Sequence, residues 1–165
     1  MPRLRVSLVV MVAGVALAAA ALSLAAPAAA GVPAIASGSY QLTPTSYSTR
    51  SADGDLFVHG TGTVTYAVTG PVTGTESETF DFVIHKDGSI EGHGTATCSC
   101  TLGGRSGTLY ADYTMYGSVV SDDVVGRITF TGASGGLAGL HGGGTYEQRF
   151  STGNGSYSYS YVLVP

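Results

Sequence analysis

From Gly38 onward the chain alternates apolar or aromatic residues with small polar ones at a spacing of two, in runs broken by Gly and Asx-Gly pairs. Alternation of this kind belongs to strands with one buried face and one solvated face. The breaks come at Asp53-Gly54, Gly70-Pro71, Asp87-Gly88, Gly103-Gly104, Asp122-Asp123 and Gly153-Asn154-Gly155, each a combination that favours a tight turn. The spacing predicts strands over 39–47, 56–69, 75–85, 90–100, 106–116, a sixth from Asp122 through Phe130, and then 145–150 and 156–164. Pro44 interrupts the first of these. A Gly-rich stretch from Gly132 to Gly144 encloses Leu137 and Leu140, which are expected to plug one end of the fold.

Eight strands joined by short turns, with nothing helical between them, must pair antiparallel with their neighbours. Such a sheet has to close or stack to bury its apolar face and remove its edges. The fold class is therefore all-β, an eight-stranded antiparallel closed barrel, with a two-sheet β-sandwich as the alternative. A helical bundle, a coiled coil and a doubly wound α/β enzyme are excluded. Val64, Tyr66, Phe80 and Phe82 are expected to face inward.

Residues 1–30 read as a cleaved signal peptide and 31–165 as a single β-barrel domain. Arg3 and Arg5 supply a basic start, Val6 to Leu24 is almost wholly apolar, and Ala28-Ala29-Ala30 offers a small-residue exit. Ala34-Ile35-Ala36 is a second A-x-A site. An uncleaved anchor is the alternative. The expected location is extracellular, with no stable membrane insertion once the leader is gone. Beyond residue 30, five basic residues stand alone against eleven acidic ones, a formal charge of about −6. Nucleic acid and anionic membranes both require clustered cations, so neither is an expected partner. The oligomeric state is not readable.

Cys98 and Cys100 are the two cysteines. An oxidising compartment favours their pairing. On a strand, however, residues two apart have Cα atoms about 6.6 Å apart, near the upper limit for a disulfide. The pair is a possible disulfide or two small same-face residues, and its spacing to the histidines does not build a metal site. His85 and His93 flank the Asp87-Gly88 hairpin with the parity of the outer face. Gly142-Gly143-Gly144 and Gly103-Gly104 lack the Lys and the following helix of a phosphate cradle. They read as bends at barrel corners. Arg105 is suited either to a ligand carboxylate or to a structural salt bridge or cap.

Glu76 and Glu78 share parity with Phe80 and Phe82, which places them either inside the barrel or at its solvated rim. A carboxylate in an apolar lumen would have its pKa raised and could move protons. Tyr66, Tyr113 and Tyr146, with Phe80 and Phe82, are the candidate ligand-binding residues, because tyrosine grips flat or lipid-like molecules while bonding their polar ends. Cross-strand packing on a half-exposed sheet is the competing role for these tyrosines. The alternating Ser-Tyr run near the C-terminus reads as an exposed β-ribbon.

The turn Leu102-Gly103-Gly104-Arg105-Ser106-Gly107-Thr108, the loop from Gly135 to Gly144 and the run Gly74-Thr75-Glu76-Ser77 together resemble a bacterial domain family of unknown function. That family is grouped with the allene oxide cyclase and dirigent-like barrels. The resemblance covers roughly Gly38 to Tyr146. It implies an eight-stranded barrel with no assigned activity, and it makes Glu76 the analogue of the glutamate that steers cyclisation in allene oxide cyclases. The cysteine pair, the leader and the Tyr-rich last strand depart from the family pattern. The leading functional expectation is a non-catalytic secreted barrel that binds an apolar or aromatic small molecule, with no cofactor and no metal. The alternatives are a cofactor-free cyclase or isomerase in which Glu76 is catalytic, and an extracellular interaction module.

Overall fold

The computed structural model describes residues 31–164. The expected leader and the first of its expected processing sites lie outside the described residues. The chain forms β1 (Ala34–Ala52), β2 (Asp55–Tyr66), β3 (Val72–Ile84), β4 (Ser89–Leu102), β5 (Arg105–Ser118), β6 (Asp123–Gly135), β7 (Leu140–Arg149) and β8 (Asn154–Leu163), with no helix among the described residues. Each strand pairs antiparallel with the next, and β1 returns to β8 through Ala34–Gln41 against Tyr161–Asn154. The eight strands therefore make one closed ring, and the two-sheet sandwich is ruled out.

Alternation decides which side chain goes where. On β4, Ala96, Cys98, Cys100 and Leu102 are buried while Thr95, Thr97 and Ser99 face out. The outer face carries mostly Thr, Ser and charged side chains, with Phe57, Tyr110, Tyr116 and Val125 among them, and the inside is mostly apolar. The second A-x-A sequence, Ala34-Ile35-Ala36, opens β1 and is paired with Tyr161–Tyr159.

Three elements differ from expectation. β1 runs straight through Pro44, because the register shifts between Pro44 and Ser46 and leaves Thr45 as a bulge. The bulge both accommodates the missing N–H and reverses parity, so that Leu42 and Pro44 before it, and Tyr47 and Thr49 after it, line the same interior. β7 begins at Leu140 rather than Thr145, and Gly142–Gly144 are strand residues. Glycine is required there by crowding: a Cβ on Gly144 would lie 2.0 Å from the Ser158 carbonyl oxygen. Lastly, β2 ends at Tyr66, and Val68 turns out to solvent in the following turn.

Inward aromatic rings lie across inward glycines on the neighbouring strand. Phe80 pairs with Gly60, Tyr113 with Gly94, Tyr146 with Gly126, Tyr40 with Gly155 and Tyr157 with Gly38. At each of these glycines a Cβ would fall 2.4–2.7 Å from an atom of the paired aromatic side chain. The missing side chain gives each ring a flat seat against the wall, in the manner of aromatic rescue of strand glycines.

The end of the barrel that holds the 67–71, 103–104 and 136–139 turns is sealed. Leu137, completely buried, and Leu140 close it as expected, and beneath them Cys98, Cys100, Leu109 and Phe130 fill the bore down to a residual void of about 10 Å³. The opposite half remains hollow.

Replacing Gly94 with Ala drives a methyl into the Tyr113 ring and to 2.4 Å from the Thr79 carbonyl oxygen. The expected cost is about 1–3 kcal/mol, measured as a lower melting temperature by circular dichroism. Gly132→Ala is the control: its nearest neighbour, a Tyr110 ring carbon, lies 3.6 Å away, and its melting temperature is expected to stay close to that of the parent.

Candidate functional site

The hollow half is a cavity of about 410 Å³ that opens at the end of the barrel carrying the β1–β2 and β7–β8 turns. This is within the range of small-molecule sites. Phe82 and Phe80 line the β3 wall with ring centroids 5.8 Å apart, and Phe150, just past the end of β7, meets Phe82 at 6.1 Å near the mouth. Tyr113 and Tyr146 meet edge to face at 6.0 Å. Tyr66 and Tyr159 border both the cavity and the packed core below it.

All five expected ligand-contact residues, Tyr66, Phe80, Phe82, Tyr113 and Tyr146, line this one cavity. So do Glu76 and Glu78, since β3 is inward at even positions along this stretch. Glu76 is 7% exposed at the floor and accepts a 2.7 Å hydrogen bond from the Tyr66 hydroxyl. Glu78 is one step nearer the mouth and partly buried. The solvated-rim alternative for the pair does not hold.

Burial decides the electrostatics. Desolvation holds the Glu76 carboxyl above the ordinary range, and the bond from Tyr66 offsets part of that rise. Glu78 is pushed up to about 7, first by desolvation and then by the charge of Glu76, with Tyr113 acting the other way. Tyr66, Tyr113 and Tyr40 are raised chiefly by burial, and next by Glu76, by Glu78 and by Tyr146 respectively, so they remain neutral donors. The Tyr40 hydroxyl bonds Gln148 at 3.1 Å and that of Tyr146 bonds the Thr114 carbonyl at 3.1 Å. The Tyr113 hydroxyl is buried and has no hydrogen-bond partner, although it lies close enough to Glu78 for the two to perturb one another. Chemically this is a deep apolar bore with two carboxyl groups and several hydroxyl donors near its base.

The remaining candidates lie elsewhere. Cys98 and Cys100 are free, buried thiols in the sealed half. The pairing weighed for them is not formed, because β4 is regularly paired there with β3 and β5 and does not bend to bring them together. His85 and His93 both face outward but do not meet: Asp81 is the register partner of His93, and His85 contacts Asp55 at 3.0 Å and Glu91 at 3.5 Å. His59 contacts Asp81 at 2.8 Å. No group of three or more metal-ligating side chains forms among the described residues. Arg105 is exposed at the start of β5, away from the cavity.

The last strand overturns its expected exposure. Tyr157 and Tyr159 are 4% and 5% exposed, stacked at 4.6 Å inside the barrel, with the intervening Ser158 outside. Their strict alternation with serine was a signal for an inward face. Tyr40, Leu42, Met115 and Gln148 also line the cavity and were not singled out from sequence. Tyr40 lies in a run interrupted by Pro44, and Gln148 follows the glycines that hid the start of β7.

No family model matches the chain, and no curated protein matches it. A solved structure does: a protein of unknown function of the DUF3224 family from Shewanella oneidensis MR-1, with a TM-score of 0.64 at 14% identity, covering 81% of this chain and 100% of that one. The two proteins share a fold. That neighbour is itself of unknown function, so the likeness carries architecture and no activity, and the chemistry has to be argued from the cavity.

The raised carboxyls set a pH dependence. A carboxyl that binds its proton more tightly in the folded state stabilises the fold at low pH, and that stability is lost as pH rises from its unfolded pKa to its folded one. For Glu78 the window runs from 4.5 to about 7, and Glu76 acts in the same sense. Asp87 and Asp122, held low by bonds from Ser89 and Ser151, oppose this only under more acidic conditions. The melting temperature is expected to fall by roughly 5 °C or more between pH 4.5 and pH 8. Glu78→Gln should flatten that decline and raise the value at pH 8, as followed by thermal denaturation across the series.

Proposed function

We propose that the protein is a secreted, non-catalytic small β-barrel that holds an apolar or aromatic small molecule in its open half. The observation that supports this best is the asymmetry of the bore. One half is packed to its limit while the other keeps about 410 Å³ between aromatic walls. An empty apolar cavity forfeits contacts that a filled one would make, and the aromatic rings are set back on glycine seats in a way that preserves the space. The hydroxyls and carboxyls near the base supply the few polar contacts that orient a ligand. Export rests on the composition of residues 1–30.

A second reading keeps an allene oxide cyclase-like cofactor-free cyclase or isomerase, and it is Glu76 that favours it. A buried carboxyl held above its ordinary pKa and bonded to a tyrosine can donate or accept a proton in a bore that folds its substrate. Under this reading Glu76→Gln abolishes turnover while leaving binding in place. Under the first it alters binding alone.

Native mass spectrometry of protein purified from culture medium is expected to show the chain with a bound small molecule of a few hundred daltons. Phe82→Trp and Leu42→Trp, which fill the cavity from β3 and β1, are expected to lower its occupancy at least tenfold. Bare protein from medium, or an occupancy unchanged when the cavity is filled, would count against lumen binding.

A further inference from the structure

Two carboxylates reach into the cavity, and not one Lys, Arg or His side chain lines it. Glu78 is faced by Glu76 on its own strand, Tyr113 from β5, Tyr40 from β1 and Tyr146 from β7, while Tyr66 from β2 and Tyr159 from β8 stand beside Glu76; β4 and β6 present no charged side chain to the cavity. An ionised carboxylate withdrawn from water is costly unless a positive partner accompanies it. Among the described residues the protein supplies none inside the bore. Outside the bore the described residues are also acidic on balance, with five basic side chains against nine acidic ones once Glu76 and Glu78 are set aside, a field that attracts cations and repels anions.

The rest of the wall has the same preference. The ring faces of Phe80, Phe82, Tyr113 and Tyr146 carry the negative part of the aromatic quadrupole, which binds ammonium groups. The Tyr113 hydroxyl, buried beside Glu78, adds a polar group at that level of the bore. Resting on the lumen-binding reading above, we propose that the ligand is an organic cation. Its protonated amine or quaternary ammonium group is seated between the Glu76 and Glu78 carboxylates and the surrounding rings, and its apolar body extends toward the mouth along Phe82 and Phe150. Binding ionises Glu78, so a protonated amine is held more tightly as pH rises through neutrality, up to the point where the amine itself loses its proton. A fatty or aromatic carboxylate, by contrast, meets two groups of its own sign.

Three probes on one aromatic body separate charge from shape: 1-naphthylmethylammonium, the neutral 1-naphthalenemethanol and the anionic 1-naphthoate, titrated calorimetrically into the intact protein. At pH 8 the ammonium is expected to bind at least tenfold more tightly than the alcohol, and the carboxylate more weakly than either. At pH 5 the advantage of the ammonium should shrink to within about threefold. Glu78→Gln, a neutral replacement of the same shape, should remove most of the ammonium's advantage over the alcohol at pH 8. Equal affinity for ammonium and alcohol at pH 8 overturns the cation proposal and leaves an apolar lumen standing. Failure of all three to bind overturns both. The wild-type pH series decides the matter even if the Gln variant folds poorly.

Discussion

The return of β1 to β8 is the contact on which the rest of the molecule depends. Seven hairpin pairings make a meander, and a meander has two open edges and no inside. Pairing Ala34–Gln41 with Tyr161–Asn154 satisfies both edges at once and turns a period-two pattern into a distinction between bore and surface. Once the ring is closed, every inward residue of each strand shares one enclosed volume with the inward residues of the other seven. Side chains far apart in sequence, such as Tyr66, Glu78, Tyr113 and Tyr146, thereby come to line a single cavity.

Closure alone does not decide whether that volume is full or hollow. In the sealed half, small and medium residues of β4 and β5 meet Phe130, and the β6–β7 turn folds Leu137 over the end. In the open half, large rings are drawn back against glycines on the adjacent strands, so that bulk is spent on the wall and space is kept at the axis. The two carboxyls of β3 stand where these regimes meet. They are inside enough for desolvation to govern their protonation and high enough to meet whatever enters from the mouth. The absence of a basic residue along the described bore gives the site its electrostatic character.

Much of this was legible in the chain itself. The strands, their turns, the inward face of β2 and β3 and the Leu137–Leu140 plug follow from alternation and turn chemistry, which are local. The misreadings have physical causes. Glycine has poor strand propensity, so Gly142–Gly144 read as loop, although the crowding of a neighbouring backbone is what selects glycine there. Pro44 read as a break because a bulge that absorbs it needs a partner strand to be defined. Tyr157 and Tyr159 read as exposed because serine-rich alternation looks solvated until the opposite edge of the sheet is known to be β1.

What the amino-acid order determined by itself is the period, the punctuation and the parity. Together these specify eight antiparallel strands with an apolar face, because each depends on neighbours a few residues away. Whether Glu76 and Glu78 lay at a rim or in a bore, whether the bore was filled, and which tyrosines surrounded the acids were decided only by the tertiary structure. Those properties depend on the register between strands and on ring closure, which set burial, and burial in turn sets how a carboxyl shares its proton.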